Sequence, residues 1–205
     1  FEHDRTHFDR DYHPRRLKRR ADLVNISEGS ILDAGCGDGA IQRYLPKTLE
    51  YTGIDFDKDC LTFLWKGRTG ANRICGQITQ LPFRDNCFDI ELNIEVIEHL
   101  PKELQEKLIS DLYRTLKNGG KTIISTPNPE TLFHASMWMP PFSPTHFHCV
   151  TFSELTKLLN ESGFKLIKRV SDDIIAEYPH KIFKYIPQSF RRVLASRFPK
   201  LDKHI

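Results

Sequence analysis

Residues 31–41 read ILDAGCGDGAI, and they constrain the fold of this chain more than any other stretch. Ile31 and Leu32 form a short apolar run that meets an acid, Asp33. Gly35, Gly37 and Gly39 then alternate with Cys36 and Asp38, before Ala40 and Ile41 open a helical pattern. A strand that runs through a glycine turn into a helix start is suited to holding a ligand. Glycine allows positive φ and close backbone approach, and the first N–H groups of a helix are donors without internal partners. Gly35, Gly37 and Ala40 satisfy G-x-G-x-x-A, and Asp55 lies twenty residues beyond Gly35, where a dinucleotide fold places its ribose-binding acid. The glycines alone leave two readings open, a dinucleotide or another adenosine-bearing ligand.

Asp33 separates them. A dinucleotide brings an anionic pyrophosphate to such a turn, and an adjacent carboxylate repels it. S-adenosylmethionine brings a sulfonium and an ammonium, both cationic. The run LDAGCGDG, residues 32–39, resembles motif I of the class I S-adenosylmethionine-dependent methyltransferases. LPF at 81–83, Phe88-Asp89, EVIEHLP at 95–101 and NGG at 118–120 follow in the family's order. The resemblance covers about residues 26–170. It implies a Rossmann-like α/β fold, a doubly wound and mostly parallel sheet with helices on both faces, in a single domain. It implies S-adenosylmethionine as cofactor and methyl transfer as the activity. The cofactor residues it points to are Asp33, Gly35, Cys36, Gly37, Asp55, Phe56, Gln77, Ile78, Asn93 and Ile94. Ligands in such sheets sit beyond the carboxyl ends of the strands, which places Asp55 to accept the ribose hydroxyls and Phe56 to face the adenine. Gln77 stands where the family pattern has an acid, and its side-chain oxygen accepts the same hydrogen bond.

The rest of the chain agrees with this class. Apolar runs predict strands at 51–56, 72–76, 88–93, 121–126 and 164–170. Helical patterns predict helices at 39–45, 58–65, 102–116 and 151–162. Asp57 is placed to cap the helix from Lys58. Leu104, Leu108, Leu112 and Leu116 form one apolar face, and Asn118-Gly119-Gly120 reads as that helix's stop. A length of 205 residues suits one well-buried domain. We divide it into an N-terminal lid helix over residues 1–25, the core over 26–171, and a basic amphipathic tail over 172–205. In the first segment Pro14 begins a helix running to about Val24, and Tyr12, His13 and Arg16 are lid candidates. In the tail, Lys181, Lys184, Arg191, Arg192, Arg197 and Lys200 lie among Phe190, Val193, Leu194 and Phe198. That pattern suits either a solvated helix on its own domain or a membrane surface. The five cysteines form no C-x-x-C, and their odd number argues against a disulfide scaffold or a cysteine zinc site, so a cytoplasmic location is expected. A net charge of +3 is too small to imply nucleic acid by itself.

Two stretches bear on the acceptor. Residues 129–150 form a long segment with Phe133, Met137, Trp138, Met139, Phe142 and Phe147, as well as His134, His146 and His148. Loops of this length are often functional, and the resemblance makes this one a substrate cap. Glu95, Glu98 and His99 have the spacing E-x-x-E-H. With His146 they suit Mg²⁺ or another divalent cation, as in ubiquinone-biosynthesis O-methyltransferases and small-RNA 2′-O-methyltransferases. Metal-free relatives also carry the E-H pair. There His99 or His146 serves as the general base, or the stretch simply packs. The expected reaction is O-methylation of a small or lipid-like acceptor, with metal-assisted RNA 2′-O-methylation and a non-catalytic cofactor-binding module as rivals.

Overall fold

The computed structural model describes residues 12–63, 71–129 and 146–170. The chain divides into two compact units, residues 1–126 and 127–205. Helix α1 spans Tyr12–Ala21, and strand β1, Gly29–Ala34, leads into the glycine turn. A 3-10 turn over Ala40–Tyr44 follows, then β2 (Leu49–Asp55), α2 (Lys58–Phe63), β3 (Asn72–Cys75) and β4 (Phe88–Ile94). A second 3-10 turn, Ile97–His99, precedes α3 (Lys102–Thr115) and β5 (Leu116–Ser125). The strands form one sheet in the order β3-β2-β1-β4-β5, and every pairing is parallel. This is the expected Rossmann-like class. Because β1 pairs with both β2 and β4, the strand order reverses at β1, and the crevice outside its carboxyl end is where such sheets bind ligands. The glycine turn leaves β1 at that point.

Side chains alternate between the two faces of a strand, and here each face has its own cover. Ile31, Tyr51, Ile90 and Leu92 point to one face and form a core with Ala21 and Val24 from α1 and its exit and with Ile41 from the first 3-10 turn. Glu91 points the other way, toward α3, where Thr115 Oγ1 lies 2.6 Å from its carboxyl. Helices therefore cover both faces.

Several local expectations shift. The helix expected over residues 39–45 is instead the 3-10 turn Ala40–Tyr44: Gly37 and Gly39 take positive φ, Asp38 Oδ1 accepts from the Ala40 N–H at 2.9 Å, and Pro46 follows too closely for a longer helix. The buried face of α3 is Gln105, Leu108, Ile109, Leu112 and Thr115, rotated from the all-leucine stripe. Gln105 Nε2 donates inside to the carbonyls of Ile97 at 2.9 Å and Leu100 at 3.2 Å. Asn118-Gly119-Gly120 does not stop α3, which ends at Thr115. Instead it bulges inside β5: Leu116 pairs with Phe88, and pairing resumes only at Lys121 with Ile90. Gly119 has φ 80°, and a Cβ on Gly120 would stand 2.9 Å from the Asp89 carbonyl oxygen. The helix cap expected at Asp57 is present, its Oδ1 accepting from the N–H groups of Asp59 and Cys60.

In the second unit, α4 (Phe152–Glu161) begins with a capping box, in which Thr151 Oγ1 accepts from Glu154 N–H and the Glu154 carboxylate accepts from Thr151 N–H. Residues 164–170 form no strand, correcting the sixth-strand expectation. Adjacent Leu166 and Ile167 break the two-residue alternation a strand requires, and both are exposed. Among the described residues no helix is long and apolar enough to cross a membrane. Most of the cap, residues 130–145, and the tail, residues 172–205, lie outside the described residues, as do the side chains of Tyr12 and His13.

Candidate cofactor site

The carboxyl ends of β1, β2 and β4 bring three sequence stretches together. From β1, Gly35 and Cys36 both donate backbone N–H bonds to the Ile54 carbonyl of β2, at 2.8 and 3.1 Å. Asp55, the last residue of β2, is buried and braces the turn. Its Oδ2 accepts from Gly37 N–H at 2.8 Å and its Oδ1 from Asp57 N–H at 2.9 Å. Each carboxylate oxygen has a second lone pair to offer a ligand hydroxyl. Gly37 has φ 50°, and nothing lies within 4 Å of the place a Cβ would take. That open space leaves the backbone there accessible to close approach. Phe56, beside Asp55, is an apolar ring 76% exposed. Gln77 is exposed and Ile78 half-buried, just past the end of β3.

Asp33 is buried on the α1 face of the sheet, and the Tyr51 hydroxyl from β2 donates to its Oδ2. Burial pushes this carboxyl up to about 7, and the neighbouring acids Asp55 and Asp38 push the same way, against the Tyr51 hydrogen bond. Burial first, then Asp33 and Asp55, raises the Cys36 thiol far above its ordinary range. It is an inert thiol rather than a nucleophile. Three carboxyls, Asp33, Asp38 and Asp55, thus lie close enough around the turn to act on one another. On β4, Asn93 is fully buried and its Nδ2 donates to the Ala34 carbonyl at 2.9 Å. Among the described residues its Oδ1 has no hydrogen-bond partner. An acceptor left unmade in the interior costs about 1–3 kcal/mol, so this position at the strand-order reversal calls for a donor. Ile94 ends β4, half-buried.

The E-x-x-E-H stretch follows. Glu95 turns back toward α1, its carboxylate 3.0 Å from Arg16 Nη2 and 3.3 Å from Arg20 Nη2. Glu98 is buried, and Thr126 Oγ1 donates to its Oε2 at 3.0 Å. Burial, then the nearby Glu95, pushes Glu98 up to about 7. His99 is exposed at the end of the 3-10 turn. His146 belongs to the second unit, where its Nδ1 lies 3.7 Å from Cys149 Sγ. Sequence reasoning missed Tyr51 and Arg20. Tyr51 reaches Asp33 only because β1 and β2 pair in the register Ile31 to Tyr51.

Residues 32–124 match the methyltransferase-domain family. A protein of Mycolicibacterium smegmatis named a probable S-adenosylmethionine-dependent methyltransferase is 30% identical over 137 residues, covering 66% of this chain and 52% of the relative. Over residues 32–124 this chain therefore carries a methyltransferase domain. An uncharacterized protein of Methanocaldococcus jannaschii is 30% identical over 178 residues, covering 82% of this chain and 75% of that one. A solved methyltransferase structure from Archaeoglobus fulgidus superposes with a TM-score of 0.64 over 93% of this chain and 86% of that one, at 22% identity, which speaks to the methyltransferase fold. The chain spans about half the length of the mycobacterial relative. No divalent cation follows from family membership.

Proposed function

We propose that this chain binds S-adenosylmethionine at the glycine turn and transfers its methyl group to an oxygen nucleophile on a small or lipid-like acceptor. The observation that carries the cofactor half is the pairing of an open Gly37 backbone with a buried acid, Asp33, and a braced one, Asp55. A cationic ligand relieves the mutual repulsion of Asp33, Asp38 and Asp55, whereas a pyrophosphate adds to it. Asp55 accepts the ribose hydroxyls, Phe56 lies against the adenine, and Gln77 with Ile78 borders the base. Asn93 and Ile94 border the methionine end. The bound cofactor supplies an electrophilic methyl on sulfur. The chain's task is to hold the acceptor in line with it and keep water out. His99 or His146 takes the acceptor's proton, a role suited to imidazole near neutral pH.

The acceptor class rests on sequence. Phe133, Trp138 and Phe142 in residues 129–150 suit an apolar substrate, and the basic tail suits an anionic membrane surface where such a substrate resides. The donor chemistry of Glu98 and His99 suits Mg²⁺ or another divalent cation. Glu95 fits that role less well, because its carboxylate is engaged by two guanidinium groups. Transfer of labelled methyl groups from S-adenosylmethionine into the lipid, small-molecule and RNA fractions of a cell extract, with and without EDTA, tests the proposal. Label in the lipid or small-molecule fraction that survives EDTA supports it. EDTA-sensitive label in RNA replaces it with the metal-assisted reading.

A further inference from the structure

Glu95 is the residue whose backbone least suits its side chain. Its φ is 56°, in the left-handed region that a non-glycine residue holds only when its surroundings enforce it. Those surroundings are specific. The Glu95 N–H donates to the Ser125 carbonyl at 2.8 Å, and Ser125 Oγ donates to Glu95 Oε1 at 2.7 Å. Arg16 and Arg20 of α1 grip the two carboxylate oxygens. Arg20 is itself buried and fixed, its Nε donating to Ser125 Oγ at 3.2 Å and its Nη1 to the Arg16 carbonyl at 3.2 Å. The residue after Glu95 is Val96. Its two γ-methyls stand 2.6 and 2.7 Å from where a Cβ on Gly35 would lie, so Val96 rests directly on the first glycine of the turn. An unbroken path of contacts therefore runs from the α1 arginines through Glu95 and Val96 to the glycine turn.

We propose that Arg16 and Arg20 are positioning residues for the cofactor. Through Glu95 they hold Val96 against Gly35, and so keep the turn in the shape that receives S-adenosylmethionine. This rests on the cofactor reading above, and it gives α1 a role in cofactor affinity without contact to the ligand. Without the arginines, Glu95 relaxes out of the left-handed region and carries Val96 away from the turn. Glycine adopts positive φ without strain, so Glu95→Gly makes the grip unnecessary.

The test uses the full chain and three proteins: wild type, Arg16→Ala/Arg20→Ala, and the same pair combined with Glu95→Gly. Calorimetry with S-adenosylmethionine gives affinity, and the amide resonances of Gly35 and Gly37 in the cofactor-free proteins give turn geometry. The double variant is expected to bind about tenfold more weakly, from the cost of left-handed backbone. Adding Glu95→Gly is expected to return affinity to within about threefold of wild type, with both resonances moving in the double variant and returning in the triple. If the double variant does not fold, Arg16→Ala alone replaces it and is expected to lose about threefold, again recovered by Glu95→Gly. Unchanged affinity in the arginine variant overturns the proposal. So does a triple variant as weak as the double, the pattern produced by direct arginine contact with the ligand or by a purely stabilising role. If wild type itself fails to bind S-adenosylmethionine, the cofactor reading falls. The resonances then still decide the mechanical link from α1 to the turn, and unmoved resonances overturn that link too.

Discussion

Glu91 makes a sharp prediction about stability and pH. It sits in the middle of β4, fully buried, between Thr115 of α3 at 2.6 Å and Thr122 of β5 at 3.1 Å. Thr115 Oγ1 also lies 3.0 Å from the Asp111 carbonyl. If its one proton goes there, Glu91 must donate to Thr115, which requires a neutral carboxyl. Burial pushes Glu91 up to about 8, against the two threonine hydrogen bonds, so neutrality holds at ordinary pH. The folded chain therefore keeps a proton that the unfolded chain releases near 4.5. The associated stability is fully present below 4.5, falls as pH rises through that window, and is gone above about 8. At about 1.4 kcal/mol per pH unit the window carries at most ~5 kcal/mol, and relaxation of the buried site brings this to a few. Glu91→Gln keeps the shape and the donor without the titration. Urea unfolding followed by circular dichroism at pH 5 and pH 8.5 measures it. The variant should match wild type at pH 5 and exceed it by roughly 1–3 kcal/mol at pH 8.5. A difference between the two proteins that does not change with pH refutes the reasoning, since all other titrating groups cancel in the comparison.

Other consequences are as specific. Gly35→Ala and Gly37→Ala should separate stability from binding. Gly35→Ala drives a methyl into Val96 and lowers the melting temperature strongly. Gly37→Ala has open space and should cost only about 1 kcal/mol of folding for its positive φ, yet abolish cofactor binding measured by calorimetry. Under native conditions maleimide should label exposed Cys75 and leave buried Cys36 untouched, as peptide mass mapping reads out. Thr151→Ala removes the capping box of α4 and should cost about 1 kcal/mol in chemical denaturation.

The glycine turn was legible because it is local. An acid, three glycines and Asp55 read out their own geometry, and the parallel sheet follows from the alternation of strand and helix patterns. Legibility failed where a residue's role depends on what the fold brings beside it. The leucines of α3 suggested one stripe, but Gln105 and Thr115 face inward because the Ile97 and Leu100 carbonyls and Glu91 await them there. Asn118-Gly119-Gly120 has the chemistry of a helix stop and of a strand bulge alike, and only the pairing of β5 with β4 decides. The grip of Arg20 on Glu95 joins residues seventy-five positions apart. No spacing rule reaches that far, and E-x-x-E-H read alone does not show that the fold gives Glu95 two guanidinium partners.

The central claim is that the acids around the glycine turn select a cationic adenosine ligand over an anionic one. Titration calorimetry at pH 7 with S-adenosylmethionine, and separately with NAD⁺, tests it most directly, run in two buffers of different ionisation enthalpy. The account predicts one S-adenosylmethionine per chain, loss of binding in Asp55→Ala, and proton release on binding as the cationic ligand drives Asp33, held at about 7, to ionise. Binding of NAD⁺ in place of S-adenosylmethionine, or binding of neither, would contradict it.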